Sequence, residues 1–147
     1  MEDIKRILVV SRIITKGCHQ AIHYGISLSK KYGAELSVLH IIDTFWIKGW
    51  NVPMIGVEEE YKKELKRTKE ELDVMINMEK EKGMVIKELL KEGDPTEEIL
   101  KVINEENIDL IILLAHEESR VEHFLFGRSN EEIIRKIPCS ILLVKQK

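Results

Sequence analysis

The 147-residue chain reads as one domain, residues 1–147, long enough to enclose a proper hydrophobic core. Hydrophobic residues make up 44% and charged residues 33% of it, which marks a globular protein with a heavily charged surface and no apolar run approaching a membrane span. A formal net charge of -3 removes the basic footprint that nonspecific nucleic-acid binding needs.

Ile7–Val10 is a compact apolar strand, and Ser11–Gly17 is the loop that follows it. A helix is predicted from about Cys18 to Tyr32. Ala21, Ile22, Gly25, Leu28, Ser29 and Tyr32 form one stripe at helical spacing, and Gly33 supplies the stop. Leu36–Ile42 is the second strand. The short connection predicts that these two strands lie side by side, parallel, through a right-handed crossover. Asp43–Val57 has no clear periodicity but carries Phe45, Trp46 and Trp50, apolar surface that wants a partner. Packing over the sheet edge is the plainer reading of that loop, and a lid or a subunit contact is the functional one.

A long helix follows over Glu58–Lys82, with Tyr61, Leu65, Thr68, Leu72, Met75 and Ile76 along a single seam. Its many charges read as a solvated face. Gly83 ends it. Met84–Leu90 is the third strand, and Lys87 and Glu88 within it suggest an exposed edge. The turn Glu92-Gly93-Asp94-Pro95 leads into a helix over about Thr96–Glu106, with Ile99, Val102 and Ile103 buried and Asn107 as its close. Leu110–Leu114 is too short for a helix and reads as a strand buried on both faces. A polar loop, a short helix capped by Ser129 or Asn130 and halted before Pro138, and a last apolar run, Ile141–Val144, complete a βαβ unit. Five strands thus alternate with four helices, the pattern of a doubly wound sheet, although the spacing only limits the strand order.

The closing run, LLAHEESRVEHFLFGRSNEEIIRKIPCSILLV, resembles the last segment of the universal stress protein family. There the usual form is a strand, Gly-x-x-Gly, a spacer, Gly-Ser/Thr, a helix, and a final strand after Pro-Cys-Pro. KRILVV, KKYGAELSVLHIID and KEGDPTEEILKVINEENIDLIIL extend the resemblance over nearly the whole chain. It implies a single-domain, doubly wound, five-stranded parallel sheet in the order 3-2-1-4-5, with helices on both faces, of the adenine nucleotide alpha hydrolase-like kind. It also implies a homodimer, here through the final strand Ile141, Leu142, Leu143 and Val144, and ATP binding in some members.

The resemblance places a candidate nucleotide pocket at Val10, Arg12, Ile41, Leu114, His116, Glu117, Arg120, Gly127, Arg128, Ser129 and Asn130. The aspartate that holds the adenine or ribose side in nucleotide-binding relatives falls at Arg12, or at Ser11 if the loop is offset by one. Neither is a carboxylate. Main-chain groups at Ile41, beside His40, survive any change of side chain. The glycines of Gly-x-x-Gly fall at Leu114 and Glu117. Glycine lets a backbone come close to a phosphate; leucine and glutamate do not. Glu117 and Glu118 also bring two negative charges to the place of a triphosphate, each like-charge pair costing on the order of 1–4 kcal/mol at surface dielectrics. Gly127 is kept, Arg128 replaces the hydroxyl after it, and Ser129 follows. Arg120, Arg128, His116 and His123 are the counterweight, because arginine is a good phosphate fork.

No nucleophile elbow, Walker-type loop or cysteine–histidine metal spacing is present, so no catalytic residue and no metal ligand is assigned. His19 and His23 share a helix face but lack a third ligand in the sequence. His40 is expected to be a partly buried, satisfied histidine, and His116 an anchor for its loop. Cys18 and Cys139 form no motif and read as thiols in a reducing compartment. Without a secretory leader pattern, a cytoplasmic location is expected. The expectation is a non-enzymatic stress-response or regulatory protein with a degenerate nucleotide pocket, no required cofactor, no nucleic acid or membrane partner, and an unknown protein partner. Its rival is an ATP- or AMP-binding switch that uses Arg120, Arg128 and the backbone at Gly127. Slow ATP hydrolysis stays open as a third reading.

Overall fold

Aliphatic and β-branched runs build the sheet. β1 (Arg6–Arg12), β2 (Glu35–Ile42) and β4 (Leu110–Ala115) carry almost continuous apolar sequence, and their middles are buried. That is the composition a parallel strand needs when helices cover both of its faces. β3 (Ile86–Glu92) and β5 (Ser140–Lys145) mix buried and exposed positions, as edge strands do. A computed structural model describes residues 3–12, 18–42, 55–115 and 129–145. In it the five strands are all parallel and stand in the order β3-β2-β1-β4-β5. The loop with Trp46 and Trp50 lies outside the described residues.

Four helices complete the chain: α1 (Cys18–Tyr32), α2 (Ile55–Glu81), α3 (Pro95–Glu106) and α4 (Ser129–Lys136). The alternation of side chains along each strand divides the core in two. On one face Ile7, Val9, Leu36, Val38, Ile86, Ile112 and Leu114 meet Ala21, Ile22 and Ile26 of α1 and Leu72 and Ile76 of α2. On the other, Leu8, Val10, Leu39, Ile41, Ile111 and Leu113 meet Ile99, Val102 and Ile103 of α3 and Ile133 of α4. No helix among the described residues is long and apolar enough to cross a membrane.

The α1 contact is unusually close. A Cβ placed on Gly25 would stand 2.3 Å from Val9 Cγ2, so only the bare backbone fits there. The stripe predicted for this helix packs through Ser29, while Tyr32, its last residue, is exposed. α3 has both ends closed. Asp94 accepts a hydrogen bond from the Glu97 amide at 3.0 Å, Pro95 occupies the first turn, and Asn107 turns the chain in the left-handed region at φ 53°.

Several boundaries differ by a residue or more from those the sequence predicts, β1 and β3 for instance running on to Arg12 and Glu92. α2 starts at Ile55 rather than Glu58, and β3 starts at Ile86 rather than Met84. The later start of β3 has a visible cause. The Met84 amide donates back to the Glu79 carbonyl, and Gly83, at φ 97°, donates to Lys80, so the chain through Met84 still belongs to the end of α2.

Candidate functional site

The strand order reverses between β1 and β4: from β1 the chain proceeds to β2 and β3 on one side, then returns to β4 and β5 on the other. β1 and β4 are paired at Ile7↔Leu110, Leu8↔Ile111 and Val9↔Ile112, and the pairing stops there. Beyond that point β1 runs on against β2 as far as Arg12↔Ile41, and β4 runs on against β5 as far as Ala115↔Lys145. Two neighbouring strands that part company at their carboxyl ends leave a crevice, and open α/β sheets bind ligands in it.

Of the predicted pocket, Val10 and Ile41 are buried strand residues at this end of the sheet, both turned to the α3 side. Arg12 is the last residue of β1 and pairs with Ile41. Leu114 is buried, is paired with Val144, and packs on the α1 side. Ser129 and Asn130 are the first two residues of α4, inside the helix rather than before it. The backbone thus brings Val10, Arg12, Ile41 and Leu114 to the carboxyl end of the sheet. His116, Glu117, Arg120, Gly127 and Arg128 lie outside the described residues, as does His123.

A polar row that sequence reasoning missed lies beside the crevice. Ser11 and His40 are register partners on neighbouring strands, and both are fully buried. Neither the Ser11 hydroxyl nor either His40 ring nitrogen has a hydrogen-bond partner among the described residues. His40 is therefore not the partly buried, satisfied histidine the sequence suggests. Its Nε2 faces Glu88 Oε1 of β3 at 3.7 Å, too far for a hydrogen bond. Asp73 of α2 completes the group, with ligand atoms of all three residues within 4.8 Å of one another. Two lysines hold the carboxylates from outside: Lys80 meets Glu88 Oε2 at 2.9 Å, and Lys69 pairs with Asp73 one helical turn away. Burial above all, and then the Lys69 charge, pushes the His40 pKa below its ordinary 6.5, against the opposing pull of Glu88 and Asp73. The imidazole is held neutral. The three residues share no short spacing in the sequence; the β2–β3 register and the seam of α2 bring them together.

The cysteines have no such role. Neither is in a disulfide, Cys18 is buried, and burial raises the Cys139 thiol above its usual range, which suppresses the reactive thiolate.

Comparison with known proteins agrees with the fold. Residues 4–145 match the model of a family described as the Universal stress protein family. A universal stress protein of Methanocaldococcus jannaschii is 33% identical over 126 residues, covering 77% of this chain and 78% of its own. The solved structure of that same protein superposes with a TM-score of 0.67 at 29% identity, over 99% of each chain. A universal stress protein structure from Archaeoglobus fulgidus gives a TM-score of 0.66 at 21% identity over 97% of this chain. This chain spans only 44% of that one. At the level of fold alone, two further solved structures match. One is a universal stress protein in complex with cAMP, with a TM-score of 0.60 at 14% identity over 97% of this chain and 98% of its own. The other, from Arabidopsis thaliana with AMP bound, has a TM-score of 0.60 at 15% identity over 97% and 92%.

Proposed function

The chain belongs to the universal stress protein family, and from that premise we propose that it is a non-enzymatic regulatory protein of the stress response whose pocket does not hold ATP in the usual family manner. The observation that carries this reading is Leu114. The first glycine of the phosphate loop falls at this position, and here the residue is a buried leucine paired with Val144 in the sheet ladder. Its backbone is engaged by the neighbouring strand, and its side chain fills the core. An isobutyl group at that place offers none of the close approach that a bare backbone gives to a phosphate. Glu117 and Glu118, three and four residues further on in the sequence, add charge of the wrong sign for a triphosphate.

A second reading rests on ligand size. Two structures of this fold hold cAMP and AMP, each with a single phosphate. One phosphate asks far less of the loop than three, and Arg120 and Arg128 supply two guanidinium forks in its sequence. This variant of the function is an AMP-class switch with no need of the lost glycines.

Thermal unfolding with millimolar ATP, AMP, cAMP and magnesium separates the readings. Under the first, ATP leaves Tm unchanged. A saturating binder would add roughly 2–4 kcal/mol, so a clear rise with ATP overturns it. Under the second, AMP or cAMP raises Tm and Arg128→Glu abolishes the rise. The proposal includes pairing of two copies through Ile141, Leu142, Leu143 and Val144. An edge strand that leaves Leu143 45% exposed supports this contact.

A further inference from the structure

We propose that His40, Asp73 and Glu88 form a binding site for one divalent first-row transition-metal ion, zinc being the natural probe, beneath α2 at the β2–β3 side of the sheet. The site does not depend on the nucleotide reading. Three elements converge to build it, a central strand, an edge strand and the helix over both. A zinc ion bonded at about 2.0–2.2 Å to nitrogen and oxygen donors sets those donors roughly 3–4 Å apart. His40 Nε2 and Glu88 Oε1 already stand at 3.7 Å, and the ligand atoms of all three residues lie within 4.8 Å of one another.

His40 is the anchor. Its side chain is 1% exposed, and both ring nitrogens lack partners among the described residues. Buried imidazole nitrogens are ordinarily paired, and an unpaired ring nitrogen beside two carboxylates is a donor a metal takes up. Glu88 divides its oxygens between two tasks. Oε2 meets Lys80, while Oε1 is turned inward, buried and without a hydrogen-bond partner among the described residues. The lysine thus fixes the carboxylate with its free oxygen toward the ring, the service that partners of a ligating carboxylate perform in metal sites. Asp73 is shared with Lys69, whose ammonium competes for the same oxygens as the ion would.

One imidazole and two carboxylates suit zinc, manganese, iron or cobalt. They do not suit the soft ions that thiolates select, nor calcium, which takes oxygen alone. Three protein ligands leave one position open to water or a small anion.

The test uses the full chain carrying His19→Gln and His23→Gln, which removes a second, exposed histidine pair on α1. After treatment with a chelator, zinc is titrated in competition with a chromophoric indicator, and the imidazole nitrogens are followed by ¹⁵N NMR. One equivalent is expected to bind, and the His40 ring resonances are expected to move within that equivalent. Glu88→Gln and Asp73→Asn are nearly isosteric and partly exposed, so both keep the fold; each should weaken zinc at least tenfold. Lys69→Met removes the competitor and should tighten it. No stoichiometric binding, His40 resonances that stay in place, or an affinity unchanged in both carboxamide variants would each overturn the proposal.

Discussion

Gly25→Ala sets two rules against each other. Alanine is the better helix former by about 0.8–1.0 kcal/mol, so propensity alone predicts a stabilised protein. Contact with the sheet predicts the reverse. The new Cβ would lie 2.3 Å from Val9 Cγ2 and 3.2 Å from Leu36 Cδ1. Carbon atoms pack best at about 3.5–4.0 Å, so Val9 must yield by more than about 1 Å. Val9 is fully buried and branched at Cβ, which leaves it little freedom to turn away. Overpacking costs about 1–3 kcal/mol, and a 2.3 Å contact against a fully buried neighbour belongs in the upper part of that range, about 2–3 kcal/mol, so offsetting the propensity gain leaves a loss of about 1–2 kcal/mol. At roughly 2–4 °C per kcal/mol for a chain of this size, Tm should fall by about 2–8 °C. Urea unfolding followed by circular dichroism, with the denaturant slope unchanged, measures the loss directly. Introduced on top of Val9→Ala, the same substitution should become neutral or stabilising, because the obstructing methyl is gone. Should Gly25→Ala stabilise the otherwise unaltered protein, or cost the same with and without Val9, close helix–sheet contact is not the reason for this glycine.

Three further outcomes follow from other parts of the molecule. Asp94→Ala removes the side-chain acceptor of the Glu97 amide and should cost about 1 kcal/mol in urea unfolding, with the native spectrum unchanged. In metal-free protein, His40 makes stability depend on pH with a definite sign. Its folded pKa is below 6.5, so between that lowered value and 6.5 the unfolded chain binds a proton that the folded one refuses. Stability is therefore full above pH 6.5 and declines as pH falls through this window, by up to about 1.4 kcal/mol per unit; His40→Gln should flatten that part of the curve. Leu143→Lys places a charge on the exposed side chain of β5 and should convert dimers to monomers in sedimentation velocity without altering the fold. A dimer that persists would place the contact elsewhere.

The sheet was legible because its strands are apolar runs separated by clear stops. Gly33, Gly83, the Gly93-Asp94-Pro95 turn and Asn107 each mark a boundary that the backbone keeps, all four with a residue at positive φ. The start of β3 was not legible, since a residue tied back to a helix carbonyl looks the same in sequence as one free to enter a sheet. The resemblance, not the spacing, carried the strand order. At the crevice, Val10, Arg12, Ile41 and Leu114 reach the expected end of the sheet because strand direction alone takes them there. His40, Asp73 and Glu88 went unread for the opposite reason. Glu88 looked like an interruption in an edge strand and Asp73 like part of a solvated helix face, and only the β2–β3 register together with the packing of α2 brings both beside one buried ring.

The two borders of the sheet are unlike in side-chain chemistry, which bears on the proposed pairing of copies. β3 presents Lys87 and Glu88, each tied into an ion pair with a helix, through Glu106 and Lys80. A further strand arriving there would lie alongside both charged pairs. β5 offers aliphatic side chains and no such obstacle along Ile141–Leu143. If both rims were adhesive, units could add end on end into a filament. On the proposed pairing through β5, a rim lined by ion pairs at β3 and an aliphatic one at β5 would let association through the sheet close after two molecules.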